Sequence, residues 1–594
     1  MMRLFESLFK NKDLEAKRIA GQTLKNSVLD DDFHLSFFFD GTGTNKFNIT
    51  LRKSIFNEIA GLDFDSENDP TLEQNEALAN ISYEDFYKVF ITKYKELQAK
   101  DEQKYDFINN AACTIQPSDL ELKKLAKFLY SVRLDSSVSN SYCNNDYSNI
   151  EILSDNLEAQ DKKHYCNFYI EGIGTERFKI DNTILGGGLA IGETGFEVRT
   201  EEVFENLGIW WKKNKRDISS RLKTRIAENS TDKELTRSTN VGLTNNEPEK
   251  IDLFTVNLFG FSRGAFLSRC FYYELKKLVS KYGSLESRLK ILPREHEEYV
   301  GKYGDDVIDF ARTIGERVKF NVAVFFDTVS SHGFIQTNDV KTYHLDELYE
   351  GMQVLHIVAQ DEFRKYFPIT EITGCLSNTF AIKNDAQTQT CLNPDLQTDT
   401  ASYGIEFSIP GVHSDIGGCY NKVEHEKLKS LGYILGDKTA SKDSTLGKVP
   451  FYWYVNKGMY KLNDNGHFYN SLEDDLGIKS NTGYPFYELV NALSGKNKEL
   501  LFSLENKFNH GEIFAFNGKA YTVNRTIYNN YQYVVLDVVK NYLLTYTNLT
   551  FNSDFINCKY FVKLKDYKLN KDDNFSLKDA IKHHTLRNKI KKIS

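Results

Sequence analysis

Residues 251–270 read Ile-Asp-Leu-Phe-Thr-Val-Asn-Leu-Phe-Gly-Phe-Ser-Arg-Gly-Ala-Phe-Leu-Ser-Arg-Cys. The apolar run Leu253–Phe259 stops at Gly260-Phe261-Ser262-Arg263-Gly264, and apolar residues then recur at helical spacing. This order of buried strand, sharp turn and helix is typical of a nucleophile elbow, which presents one serine at its apex. Glycines suit the positions beside that serine, because its backbone is strained and larger side chains would collide with the adjacent strand and helix. The stretch therefore predicts a nucleophilic Ser262; the alternative is a glycine-rich turn that carries an ordinary serine.

Other short apolar runs also end in loops that contain glycine or aspartate. Their hydrophobicity is continuous rather than alternating, which favours strands buried on both faces. Polar residues collect just after these runs, where open α/β sheets hold their functional groups. We therefore predict an α/β fold: an α/β-hydrolase-like, mostly parallel sheet with helices on both faces. The other runs are His34–Phe39, Tyr165–Ile170, Val322–Phe326 and Ile405–Val412.

The 594 residues are more than one usual domain holds. We divide them into an N-terminal extension (1–32), an α/β-hydrolase catalytic domain (33–425) and a C-terminal accessory domain of α+β type (426–594). Large insertions, partly helical, interrupt the catalytic domain at about 44–160 and 213–250. Apolar spacing predicts helices at Tyr83–Ala99, Asp119–Tyr130, Thr194–Trp211 and Tyr531–Tyr546, and Asn517-Gly518 predicts a hairpin turn.

Trp210-Trp211 closes the third of these helices and is followed by two lysines. Tryptophan beside lysine can anchor a protein at a membrane surface. The apolar positions before this pair keep to one helical face, which favours a helix end that points into the core.

The composition excludes some classes of protein. A net charge of −8 argues against a protein that coats nucleic acid, and no basic stripe with interleaved aromatic residues occurs. The eight cysteines lack C-x-x-C pairs or zinc spacing, as in a chain folded in a reducing cytoplasm. The N-terminus lacks the apolar core of a signal peptide, and no run approaches the length of about 18 apolar residues that a membrane span needs. We therefore expect a cytoplasmic protein; if it reaches a membrane or leaves the cell, something other than a secretory signal delivers it.

A serine hydroxyl needs a base that takes its proton and an acid that orients the base. In hydrolases with this elbow, the partners follow the serine in the order Asp or Glu, then His. Asp327 and His413 both follow predicted strands in that order, and we predict that they complete a triad with Ser262. The competing histidines are His332 just after Asp327, His356 in a stretch that looks helical, and His583-His584 near the C-terminal tail.

The loop Asp40-Gly41-Thr42-Gly43 after the first predicted strand has three interpretations. The backbone N–H of Gly41 or Thr42, with that of Arg263, could form an oxyanion hole. The loop could instead cradle a phosphate, or be a tight turn capped by Asp40. No G-x-G-x-x-G joins a strand to a helix, so we expect no dinucleotide cofactor. No ligand spacing supports a metal site, although Asp40, Asp327, His413 and Asp415 are conceivable ligands.

Six motifs occur in an order that resembles one known family. Together they are similar to the uncharacterised α/β-hydrolase domain found in type VI secretion lipase effectors, over roughly residues 33–420. They are Phe38-Phe39-Asp40-Gly41-Thr42-Gly43, Tyr169-Ile170-Glu171-Gly172-Ile173-Gly174-Thr175, Gly260-Phe261-Ser262-Arg263-Gly264-Ala265, Phe326-Asp327-Thr328-Val329, Val354–Arg364 and Pro410-Gly411-Val412-His413-Ser414-Asp415-Ile416-Gly417-Gly418.

The resemblance implies a serine phospholipase, of A1 or A2 type, that is injected into rival bacteria and acts at the membrane or periplasm of the target cell. It implies the same triad of Ser262, Asp327 and His413, with Asp40, Asp415 and Glu171 as supporting candidates. The implied partners are membrane phospholipid, a spike or tube component of the secretion system and a cognate immunity protein. Glu171 and Cys419 depart from the family pattern, which usually has Asp and Gly there. The alternatives are a non-catalytic interaction module on a hydrolase scaffold and a metal-dependent phosphodiesterase.

Overall fold

The computed structural model describes a large part of the chain in separate ranges. The hairpin predicted at Asn517-Gly518, the extension 1–32, and the competing histidines His332 and His583-His584 lie outside the described residues. The described residues are 33–62, 71–104, 117–133, 146–159, 165–181, 190, 192, 194–239, 254–315, 317–330, 343–345, 352–359, 369–370, 372, 379–382, 389–391, 403–409, 413–419, 423–428, 460–462, 468–470, 523–528 and 531–556.

The strands include the five predicted from continuous apolar runs. In chain order they are β1 (Phe33–Phe39), β2 (Leu157–Ala159), β3 (Tyr165–Ile170), β4 (Phe254–Phe261), β5 (Val318–Phe326), β6 (Gln353–Ala359), β7 (Thr379–Ile382), β8 (Gln389–Cys391), β9 (Tyr403–Ile409), β10 (Val423–Leu428), β11 (Tyr460–Leu462), β12 (Phe468–Asn470), β13 (Val523–Tyr528) and β14 (Leu549–Phe551).

Eight strands form one sheet in the order β3-β1-β4-β5-β6-β9-β7-β8. Every neighbouring pair is parallel except β7 with the edge strand β8. The smaller pairs β10-β13, β11-β12 and β2-β14 are antiparallel. The α/β fold with a mostly parallel sheet is confirmed.

Helices cover the sheet and its flanks. They are α1 (Lys46–Ala60), α2 (Leu72–Asn80), α3 (Tyr83–Lys104), α4 (Asp119–Val132), α5 (Asn149–Asn156), α6 (Phe196–Thr239), α7 (Arg263–Tyr282), α8 (Leu285–Leu289), α9 (Pro293–Tyr303), α10 (Asp305–Ile314), α11 (His413–Gly417), α12 (Tyr531–Tyr546) and α13 (Ser553–Ile556).

The three consecutive phenylalanines of β1 show why the strands read as continuous apolar runs. Phe38 packs into one hydrophobic cluster, with α1, α3, α4, α5 and α12. Phe37 and Phe39 point to the opposite face and pack with α6, α7 and α10. Because successive side chains alternate between faces, a strand that is covered on both sides needs apolar residues at every position.

Two elements differ from expectation. His356, expected in a helix, lies on β6 and is fully buried between β5 and β9. Helix α6 continues to Thr239, so much of the segment 213–250 is helical, as its many strong helix formers allow. Trp210 and Trp211 are both buried, and the indole N–H of Trp211 donates to Asp309 at 2.7 Å, which confirms the core-facing interpretation.

The last described elements pack on the rest of the fold. Helix α12 places Leu536, Val539 and Leu543 in the hydrophobic cluster that contains Phe38, and β14 pairs with β2. Residues 531–556 therefore complete a core that begins at the first strand. The domain boundaries at 32/33 and 425/426 stay predictions.

Candidate active site

Ser262 stands at the turn between β4 and α7, as the elbow pattern predicts. Its backbone has φ 57° and ψ −127°, a conformation that is costly for a residue with a side chain. Two backbone hydrogen bonds maintain this strained conformation. The Ser262 N–H donates to Phe326 O at 3.0 Å, and the Ser262 carbonyl accepts from Val329 N at 3.2 Å. The elbow is thus fixed to the end of β5 and the loop that follows it.

Asp327 follows β5 directly and binds His413. Its Oδ2 lies 2.6 Å from His413 Nδ1, and its Oδ1 accepts from the N–H of Ala359 at 2.8 Å. The backbone N–H of Asp327 donates to Ile357 O at 2.7 Å. Both carboxylate oxygens therefore have partners, and the aspartate fixes the orientation of a buried imidazole through Nδ1, which leaves Nε2 as the nitrogen that can exchange a proton.

His413 opens the short helix α11, and three contacts hold the imidazole and this helix in place. The ring of Phe261 packs against the imidazole with 4.7 Å between centroids. The amide of Asn149, at the start of α5, donates to Ile416 O at 2.8 Å. The pairing of Ser148 with Gly418 secures the end of the same segment. The imidazole is consequently adjacent to the residue that precedes Ser262.

A second imidazole, that of His356, contacts the residue that follows Asp327. Its Nε2 accepts a hydrogen bond of 3.1 Å from the backbone N–H of Thr328. A nitrogen that accepts is unprotonated, so the ring proton is on Nδ1 when the imidazole is neutral. His356 was predicted to lie in a helix, so this contact was not expected from the sequence; the flanking run Val354-Leu355 and Ile357-Val358-Ala359 is the signal that indicates a strand instead.

The loop at residues 40–44 lies beside the elbow. A Cβ at Gly264, in the first turn of α7, would overlap the backbone carbonyls of Phe39 and Asp40, so only glycine permits this approach. Asp40 accepts from the N–H of Gly41 at 2.7 Å and from the hydroxyl of Tyr169 at 2.6 Å. Burial raises the pKa of Asp40 above its ordinary value.

Those contacts separate the two candidate donors in this loop. The N–H of Gly41 is already engaged by the Asp40 carboxylate. Within the described part of the chain, the N–H of Thr42 makes no hydrogen bond and its buried hydroxyl has no partner. The geometry therefore favours Thr42 over Gly41 as a donor to a bound group.

Glu171 and Asp415 occupy different surroundings. Glu171 accepts from Asn45 Nδ2 at 3.1 Å and pairs with Arg177 at 2.9 Å, and Asn45 in turn caps α1. Glu171 thus ties the loop after β3 to the start of α1. Asp415 is buried two residues after His413, inside α11. Among the residues that the structure describes, no group of three or more His, Cys, Asp or Glu is arranged to hold a metal ion.

Comparison with known proteins places this site in a family. Residues 132–457, more than half of the chain, match the family described as "T6SS, Phospholipase effector Tle1-like, catalytic domain". The chain belongs to this family. The match spans the elbow, the Asp327 loop and His413, and it confirms the resemblance to type VI secretion phospholipase effectors drawn from the six motifs.

Two solved structures are similar to this chain. One is described as the Tle1 effector bound to the VgrG spike from the Type 6 secretion system; it is 15% identical, with a TM-score of 0.33 over 94% of this chain and 80% of the other. The second is an uncharacterized protein from Pseudomonas aeruginosa, 15% identical, with a TM-score of 0.29 over 76% of this chain and 49% of the other. No curated protein matches this chain. Among the helices in the described ranges, none has the length and apolarity to cross a bilayer.

Proposed function

We propose that this member of the phospholipase effector family is a serine-dependent phospholipase of A1 or A2 type that uses Ser262, His413 and Asp327. The observation that carries the proposal is the 2.6 Å contact between Asp327 Oδ2 and His413 Nδ1 beside a serine held in elbow geometry. A carboxylate, an imidazole and a strained serine that follow the parallel strands β5, β9 and β4 of one sheet suit acyl transfer.

In the proposed reaction, Ser262 Oγ attacks the carbonyl carbon of a lipid ester while His413 Nε2 takes the hydroxyl proton. Asp327 stabilises the imidazolium that forms. The tetrahedral intermediate collapses, the ester C–O bond breaks, and the imidazolium returns the proton to the leaving lysophospholipid alcohol. A water molecule then attacks the acyl-enzyme with His413 as base, which releases a fatty acid and restores Ser262.

The negative oxygen of each intermediate needs donors that are in place beforehand. We assign this role to the backbone N–H groups of Thr42 and Arg263. Arg263 is the first residue of α7, where the positive end of the helix dipole also favours an anion. One such donor is worth about 2.7–4 kcal/mol in the barrier. Asp40 is proposed to shape the loop, since its carboxylate holds the Gly41 N–H and the Tyr169 hydroxyl.

The proposal also covers how the protein is delivered to a target cell and how the producing cell is protected from it. The similar solved effector is bound to a VgrG spike, and we propose that this chain is also carried by a spike or tube component of the secretion system. The producing cell would then need an immunity protein that blocks the site. The target is membrane phospholipid reached from the periplasm or membrane surface of the recipient cell.

Lipid analysis of liposomes before and after exposure to the purified protein tests the activity. Phosphatidylethanolamine with different acyl chains at the two glycerol positions reports which ester is cut. We expect one fatty acid and one lysophospholipid to accumulate, and Ser262→Ala to lower turnover by about 10⁴-fold or more with an unchanged circular dichroism spectrum. Hydrolysis by Ser262→Ala at the parental rate would refute the assignment of the nucleophile.

The two alternatives give other results in the same assay. A non-catalytic module on a hydrolase scaffold would release no product from any lipid. A metal-dependent phosphodiesterase would release the head group, with or without its phosphate, and no fatty acid; it would lose activity with a chelator and be insensitive to loss of Ser262.

A further inference from the structure

Phe261 is the last residue of β4 and directly precedes Ser262. Its ring lies 4.7 Å from the His413 imidazole between centroids, with an interplanar angle of 34°. Both side chains are only 3% exposed, so the contact is shielded from water. The triad described above involves Phe261 in no chemical step.

Two glycines leave the space that the Phe261 ring occupies beside the imidazole. A Cβ at Gly41 would overlap the Cδ1 edge of the ring, and a Cβ at Gly417 would overlap the opposite edge at Cε2. Gly41 belongs to the loop beside the elbow, and Gly417 belongs to the same short helix as His413. The ring is thus enclosed on both edges while one side faces the imidazole.

We propose that Phe261 is a positioning residue that fixes the His413 ring and stabilises its protonated form; this inference rests on the proposed serine mechanism. A cation within about 6 Å of the centroid of an aromatic ring is attracted by the ring's quadrupole, and more strongly when water is excluded. His413 becomes a cation in each half of the reaction. Phe261 therefore favours the state in which the imidazole has taken the Ser262 proton.

The other elements around the His413 imidazole stay unchanged in the test. Asp327 contacts it directly. The helix α11 packs against β6 and α12 and bonds to the start of α5. The charged or titratable side chains on these elements and in α11 itself include Asp415, His356, Glu151, Asp155, Tyr533, Asp537, Lys540 and Tyr542.

Phe261→Leu and Phe261→Met remove the ring and keep an apolar side chain. Phe259→Leu is the matched control, because Phe259 is equally buried on β4 and stacks on Phe38 at 4.6 Å, away from the imidazole. In the pH profile of kcat/KM on a soluble ester, we expect both Phe261 variants to move the acid-side midpoint down by about one unit and to lower the plateau about tenfold. Phe259→Leu should lower Tm and leave the midpoint in place.

A purely structural role would lower Tm in the Phe261 variants and leave the acid-side midpoint unmoved, and that result would overturn the inference. NMR of protein labelled with ¹³C in its histidine rings gives a readout that needs no activity, with the His413 resonance assigned by its loss in His413→Gln. We expect the parental His413 resonance to carry an upfield ring-current shift and its titration midpoint to fall in Phe261→Leu. An unshifted parental resonance overturns the inference even if both variants fail to fold.

The two proposals fail in different ways. If the parent hydrolyses no ester but the His413 titration moves in Phe261→Leu, the serine mechanism fails and the ring contact stands. If the parent hydrolyses phospholipid through Ser262 but neither midpoint moves, only the role of Phe261 fails.

Discussion

Thr42 differs from its neighbours in having a backbone N–H and a buried hydroxyl that make no hydrogen bond within the described residues. We predict that Thr42→Pro, which removes the N–H and keeps the chain length, lowers kcat by about 10²–10³-fold. Thr42→Val keeps the N–H and replaces an unsatisfied hydroxyl with a methyl group, so it should stay within about threefold of the parent. Steady-state kinetics with Tm as a folding check measure both. An equal loss of kcat in the two variants would show that the Thr42 hydroxyl, rather than its backbone N–H, is the donor.

The sequence predicts candidate site residues well where they follow a buried strand, and poorly where their contacts depend on side-chain conformation. Ser262, Asp327 and His413 were chosen because each follows an apolar run, and parallel strands bring such positions to one edge of a sheet. A turn capped by Asp40 was one of three interpretations of its loop, but the sequence could not select the contact with the Gly41 N–H, because that contact depends on one side-chain rotamer. The role of His356 was missed because a histidine inside a buried strand breaks the expected apolar pattern.

At the scale of elements, the elbow depends on close packing between α7 and the loop after β1. We predict that Gly264→Ala, which forces a Cβ into the carbonyls of Phe39 and Asp40, destabilises the fold by about 1–3 kcal/mol. The same change should lower the rate of Ser262 labelling by a fluorophosphonate at least tenfold, because the loop at residues 40–44, which carries the proposed oxyanion donor Thr42, would move away from the serine.

Gly301→Ala is the matched control for this change. Gly301 lies inside α9 with open space where a Cβ would be. Alanine there should be neutral or stabilise the protein by up to about 1 kcal/mol, because glycine is a poor helix former. Urea denaturation measures both variants; a neutral Gly264→Ala would contradict the packing described at the elbow.

Helix α5 carries a buried acid next to the active-site loops. Burial, and then the charge of Asp155, raise the pKa of Glu151 well above its ordinary value. Above about pH 4.5 the unfolded chain has lost this proton while the folded protein keeps it, so the contribution of Glu151 to stability falls as pH rises, up to its folded-state pKa. We predict that the stability gain from Glu151→Gln is near zero at pH 4 and grows toward neutral pH.

Urea denaturation of the parent and Glu151→Gln at several pH values checks this prediction. Glu84→Gln, at an exposed position of α3, controls for loss of one glutamate. A stability difference that is constant from pH 4 to 7 would show that burial does not perturb Glu151.

Element prediction succeeded where hydrophobicity decided the structure. The runs at β1, β3 and β5 place buried residues on both faces of the sheet and were predicted from their mostly continuous apolar character, which Ser36 and Asn167 interrupt in β1 and β3. Helix α6 was expected to end near Trp211, but it continues to Thr239 through charged residues. Apolar periodicity locates only the part of a helix that packs against the core, and the remainder follows from propensity, which is a weaker signal.

At the scale of the whole molecule, the described C-terminal elements share a core with the first strand. We predict that Leu543→Ala, in the buried face of α12, destabilises the protein by about 2–5 kcal/mol. Its neighbour Leu544 is 37% exposed, and Leu544→Ala should cost less than about 1 kcal/mol.

Heating with a fluorophosphonate probe tests whether α12 and the active site unfold together. In Leu543→Ala, Ser262 labelling and the helical circular dichroism signal should both be lost at a lower temperature than in the parent. The two temperatures should be the same. Labelling that survives after α12 has melted would show that residues 531–556 fold as a separate unit, in keeping with the predicted boundary at 425/426.

The proposed triad requires distant parts of the chain to meet at one reactive serine. The direct measurement is the site of covalent modification by a fluorophosphonate, mapped by mass spectrometry in the parent, His413→Ala and Asp327→Asn. We predict a single adduct on Ser262 in the parent, slowed by at least 10²-fold in both variants, which still fold. An adduct on another residue, or equal labelling of Ser262 in all three proteins, would contradict the triad.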